Sequence, residues 1–162
     1  MGDGATWICS QAERIFGKQG NFTIDFYHLC EYLNAAAESC SDKPHKWMKT
    51  QKKRLKKGRY DKVIDTLKIY LESENIPDKK APVRKAFRYM SNRTNYFQYD
   101  RAIAQELPIG SGLIESGHKH VLQARLKIPG ASWNINNAEA FVQARTFRAN
   151  GLWNQYWTKK AA

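Results

Sequence analysis

A mostly α fold with one or two strands is what this sequence predicts, and three observations predict it. Apolar residues recur at three- and four-residue spacing through most segments lying between glycines and prolines. Only "NFTIDF", Asn21 to Phe26, is β-branched and aromatic enough to be a convincing strand. Pro82 stands at a predicted helix start and Pro129 just beyond a predicted end, where a helix tolerates them. A chain of 162 residues makes one ordinary domain with room for one sizeable core.

In chain order, "ATWICSQAERIF" reads as a short helix with Trp7, Ile8, Ala12 and Ile15 on one face. Gly17 and Gly20 end it, and the Asn21–Phe26 strand follows. "YHLCEYLNAAAESC" returns to helical spacing through Tyr27, Cys30, Leu33 and Ala37. From Lys43 to Lys62 there are eight lysines and two arginines against one acid, Asp61. Lys46, Lys49, Lys53 and Lys56 then fall on one stripe of a helix, with Trp47, Met48 and Leu55 elsewhere. "YDKVIDTLKIYL" is amphipathic through Tyr60, Ile64, Leu67 and Leu71, and Pro77 and Pro82 bracket a linker. "VRKAFRYM" places Val83, Phe87 and Met90 on one face, and Tyr96, Phe97 and Tyr99 read as core. Ser111 is a candidate N-cap for a helix from Gly112 to about Leu126, ended by Pro129 and Gly130. Asn134 or Asn136 caps a last long helix through Phe141, Val142, Arg145 and Arg148, before the aromatic tail "LWNQYW". Trp133 and Trp153 read as core residues, with stacking on a flipped base the alternative for a Trp after a Gly turn.

Lys and Arg total 27 against 15 Asp and Glu, a net charge of +12 that favours a polyanionic partner, nucleic acid ahead of a membrane surface. The three cysteines are too few for a disulfide framework, which fits a reducing cytoplasm. His28, Cys30, Cys40 and His45 have a spacing that fits none of the usual zinc patterns. No apolar run approaches the roughly 18 residues of a membrane span. The short N-terminal myristoylation pattern and the two sequons, at Asn21 and Asn92, are discounted as chance matches.

One stretch carries most of the functional signal: "LPIGSGLIESGHKHVLQARLKIPGASW", Leu107 to Trp133. A lone acid, Glu115, follows a Gly-Ser-Gly turn, and the charges after it are Lys119, Arg125 and Lys127, with His118 and His120 among them. At helical spacing Glu115, His118, Lys119, Leu122 and Arg125 form one strip. An ionised carboxylate beside basic side chains can hold a divalent cation through oxygen while its neighbours hold phosphates. The plainer alternative is a Glu115–Lys119 helix ion pair. Asp3, in "GDGA", has the same ambiguity, between an open metal-accessible turn and an ordinary Asp-Gly turn.

Taken together and in order, "GDGATWI", "IDFYHLCEYL", a basic helical insertion and "PIGSGLIES" with the spaced His118, Arg125, Lys127, Gly130 and Trp133 resemble the DD-E transposases of bacterial insertion sequences. Within these the chain is similar to the Kra-type group, related to the Mutator-like transposases, and Asn92 and Tyr99 add to the likeness. The resemblance implies the C-terminal portion of an RNase-H-like α/β catalytic domain carrying a helical insertion. Residues 1–40 would be a remnant of the core, 41–106 the basic insertion, and 107–162 the C-terminal core helices. It further implies a two-metal site for Mg²⁺ or Mn²⁺, built from three carboxylates, with Asp3 in the second position and Glu115 in the third. Such a site serves phosphodiester cleavage and strand transfer, in which two metals clamp the attacking and leaving oxygens. His118, Lys119, Arg125 and Lys127, with Lys46, Lys49, Lys53 and Lys56, would hold DNA, and His28 would be an accessory group near the metals.

The departure from the family pattern is the first aspartate, expected on an opening strand upstream of Asp3. The site is therefore expected to be incomplete and the chain inactive alone, as a truncated transposase. An upstream transposase segment, transposon-end and target DNA, and further copies of the chain are the expected partners, in the cytoplasm at the nucleoid. The competing expectations are a non-catalytic basic DNA-binding protein and a decayed reading frame. A marginal, aggregation-prone product is also expected, because one strand leaves an unpaired edge.

Overall fold

The computed structural model describes residues 1–161, with Thr6, Lys18, Lys159, Lys160 and Ala161 described by backbone alone. The chain is mostly helical, as its periodicity predicts. It divides into two compact units, Met1–Ser111 and the residues from Gly112 onward.

The predicted strand contracts to one parallel bridge between Gly2 and Ile24. The reason lies in where the backbone bonds go. The chain around Ile24 runs straight into α2, and on one edge the Asp25 amide donates to the Gly2 carbonyl at 2.8 Å. On the other edge the amides of Ile24 and Phe26 donate to the carbonyls of Tyr96, at 3.1 Å, and Ile109, at 2.9 Å. Loop carbonyls occupy the positions that a neighbouring strand would fill, so the amides are satisfied without a ladder.

Between the two halves of the bridge runs α1, Thr6–Phe16. Parallel extended segments need such a crossover, and a helix is the usual one. Its predicted apolar face is divided: Trp7 is 69% and Ile15 65% exposed, Ile8 and Ala12 are half-buried, and Cys9 is the buried residue among those described. Periodicity locates a face but not its side, and the core lies on the side of Cys9.

Asp25 begins α2, Phe26–Cys40. α3 spans Pro44–Lys56, α4 Tyr60–Ile69 and α5 Pro82–Ser91. Pro44 and Pro82 stand in the first turns of their helices, where a missing amide costs nothing. α2 packs on both α3 and α5, and Ala36 and Ala37 are fully covered there. Leu33, Leu55, Leu67, Val83 and Met90 are wholly buried in one cluster, so the basic helices share a core with α2. Phe97 and Tyr99 join it, as predicted, and Tyr99 opens the short α6, Tyr99–Ala104.

The second unit opens with α7, Gly112–Gly117, a π-helical segment, His118–Gln123, and α8, Ala124–Leu126, in one continuous run. α9 spans Ile135–Ala149, capped by Asn134 rather than Asn136: the Asn134 side chain accepts from the Asn136 amide at 3.0 Å. α10 spans Trp153–Ala161. Tyr156 is the one buried side chain among the described residues of this unit. Trp133 meets Phe141 at a tilt and Trp153 stacks against Tyr156, but both tryptophans keep more than a third of their surface exposed and are not the core residues expected. No helix among the described residues is long and apolar enough to cross a membrane.

Candidate functional site

Asp3 sits immediately after the Gly2 half of the parallel bridge. Its Oδ1 accepts from the Ala5 amide at 2.9 Å, the local bond by which an Asp closes its own turn. Gly4 follows with φ of 82°, in the left-handed region that disfavours side chains. A methyl group there would also lie 2.9 Å from the Tyr89 hydroxyl.

α5 and the turn that follows it hold this turn. The Tyr89 hydroxyl donates to the Asp3 carbonyl at 2.7 Å, and Arg93 Nε donates to the Gly4 carbonyl at 3.0 Å. The Arg93 guanidinium lies 4.4 Å from the centre of the Tyr89 ring, and Tyr32 stacks on that ring at 4.1 Å. The main-chain carbonyls of the turn are thus fixed, while the Asp3 residue itself stays exposed. Burial raises the Tyr89 phenol well above its ordinary range, so it remains a hydrogen-bond donor.

His28 belongs to the same neighbourhood. Its ring meets those of Tyr32 and Tyr89 edge-on, and its Nδ1 is 3.3 Å from Glu31. Asp3 and His28, singled out separately in the sequence, therefore both bear on Tyr89. Composition and spacing gave no sign of Tyr89 or Arg93 as partners of the Asp3 turn; the bonds span 86 and 89 residues.

Glu115 lies in the first turn of α7 and is exposed. The strip drawn through it assumed α-helical spacing throughout, and the π segment breaks that assumption. With backbone bonds reaching five residues back, side chains five apart become neighbours: His118 Nδ1 and Gln123 Nε2 meet at 2.8 Å. Arg125 therefore does not continue the strip from Glu115. Arg145 of α9 stabilises the wider turn, donating to the carbonyls of Val121 and His120, each at 2.6 Å. His118, Lys119, Arg125 and Lys127 are nevertheless all exposed.

On α3, Met48, Gln51 and Leu55 are buried while Lys46, Lys49, Lys53 and Lys56 are exposed, so the predicted lysine stripe faces outward. Lys56 Nζ lies 5.2 Å from the Phe26 ring centre. Cys30 and Cys40 are buried thiols, each pushed up to about 11 chiefly by desolvation. Among the described residues no group of three or more His, Cys, Asp or Glu is placed to hold a metal ion.

The "IGSG" turn before α7 is explained in part. A Cβ on Gly110 would lie 2.6 Å from the Tyr27 ring and would have to displace it, whereas Gly112 has open space around it. No curated protein and no solved structure matches the chain. A family model does match it, over residues 1–160, and the chain accordingly belongs to the uncharacterised protein family UPF0236.

Proposed function

We propose that this chain is the C-terminal part of a DD-E transposase catalytic domain, contributing Asp3 and Glu115 as two of its three metal-binding carboxylates and basic surfaces for DNA. The observation that carries this reading is the parallel bridge of Gly2 with Ile24 across α1, with Asp3 directly after it. In parallel α/β units ligands gather beyond the carboxyl ends of the extended segments, which is where Asp3 stands. The same extended segment, through Phe26, also holds Ile109, six residues before Glu115.

The third carboxylate would come from outside the described residues. With it in place, Mg²⁺ or Mn²⁺ would supply Lewis-acid activation of the phosphodiester. This chain's own part is to present two carboxylates from fixed turns and to hold phosphates with Lys46, Lys49, Lys53, Lys56, His118, Lys119, Arg125 and Lys127. The test combines this chain with a segment that carries the upstream aspartate and assays cleavage of transposon-end DNA with Mg²⁺ or Mn²⁺. Cleavage abolished by both Asp3→Ala and Glu115→Ala supports the reading, and cleavage indifferent to them ends it.

The outward lysine stripe of α3 favours a second reading, a DNA-binding protein without catalysis. It predicts salt-dependent DNA binding unchanged in the same two variants, with no cleavage under any combination.

A further inference from the structure

Asp25 makes more bonds than a helix cap needs. Its Oδ1 accepts from the amides of Tyr27, at 2.6 Å, and His28, at 3.0 Å, which fully accounts for an N-cap. Its Oδ2 accepts from the Ser111 amide at 2.6 Å, across 86 residues of sequence. A carboxylate only 6% exposed is costly unless donors surround it, and here two helix amides and Ser111 do so. The turn it reaches is held at three successive residues. The Ile109 carbonyl accepts from the Phe26 amide, Gly110 lies against the Tyr27 ring, and Ser111 is bound by Asp25. Meanwhile the amide of Asp25 itself holds Gly2, the residue before Asp3.

We infer that Asp25 is a positioning residue whose carboxylate locks the Ile109–Ser111 turn, the departure point of the Glu115 helix, to the segment that sets the register of the Asp3 turn. Its role in positioning rests on the reading of Asp3 and Glu115 as partner carboxylates; the lock itself stands on hydrogen bonds alone. An acid is needed because one oxygen must serve the cap while the other serves Ser111. Ser at this position would cap α2 but could not reach the turn. Asn would keep the shape but set an NH₂ against an N–H on one side.

The experiment is amide hydrogen exchange on the whole chain, for the wild type, Asp25→Ser and Asp25→Asn. The expected result is a protected Ser111 amide that exchanges at least about tenfold faster in both variants, with α2 and α5 core amides unchanged. Asp25→Asn serves where Asp25→Ser does not fold. Ser111 protection that is the same in the variants overturns the lock. In the combined cleavage assay, Asp25→Ser is expected to lower kcat about tenfold or more with KM for DNA unchanged. Wild-type kcat in a variant whose Ser111 amide is exposed overturns the positioning role. If the wild-type combination cleaves nothing, the transposase reading fails and the positioning role with it, and the exchange result alone decides the lock.

Discussion

Asp25 and Gly4 show how much single residues carry here. Burial pushes the Asp25 carboxyl up, but the bonds from Ser111, His28 and Tyr27 outweigh it, so it ends below its ordinary value of 3.8. A carboxylate depressed in the folded state stabilises it fully above the ordinary value and loses that contribution as pH falls through the folded one. The neighbouring Cys30 and Tyr99 stay neutral across this range, since burial raises both. Urea unfolding followed from about pH 6 to pH 3 is thus expected to lose stability more steeply below about pH 4 in the wild type than in Asp25→Asn. At Gly4 the positive φ and the nearby Tyr89 hydroxyl both oppose a side chain. Gly4→Ala is expected to cost on the order of 2 kcal/mol in the same measurement, and a neutral substitution would show that the turn is not held as described.

The π segment is the element whose geometry changes most from what its sequence implies. A wider turn leaves carbonyls poorly served by its own amides, and Arg145 takes two of them. Arg145→Leu, which keeps much of the bulk and removes the donors, is expected to destabilise the second unit by about 1 kcal/mol. It should also speed exchange at the amides of Ala124 and Arg125 specifically. Loss spread evenly over α9 and α10 would instead point to a packing role for the side chain. In the first unit, Leu33 on α2 is wholly buried in the shared core, and Leu33→Ala is expected to cost about 2–5 kcal/mol in chemical denaturation.

At the scale of the molecule, the two units differ in what they bury. The first has a contiguous core drawn from α2 to α6, while the second buries Tyr156 alone among its described residues. Exchange across the described amides is expected to be markedly slower in α2 and α5 than in α9, and equal protection would contradict this division. Charge acts at the same scale. If the α3 stripe meets DNA phosphates, Lys49→Ala with Lys53→Ala should lower the slope of log affinity against log salt by about 2, measured by fluorescence anisotropy on duplex DNA. An unchanged slope removes α3 from the interface.

The helices, the proline start of α5, the lysine stripe and the core places of Phe97 and Tyr99 were legible in the residue order, because helix periodicity and capping are local properties of the chain. The strand reduced to a bridge, the exposure of Trp7 and Ile15 on α1 and the π register were not legible, since each depends on which distant carbonyl or side chain arrives. Asp3 and Glu115 could be picked out from sequence as candidates. That Tyr89 and Arg93 brace the Asp3 turn, and that Asp25 joins Gly2 to Ser111, was decided only in the tertiary structure. Hydrogen bonds spanning 86 residues or more leave no periodic mark in the sequence, because their partners meet only after the intervening helices have packed.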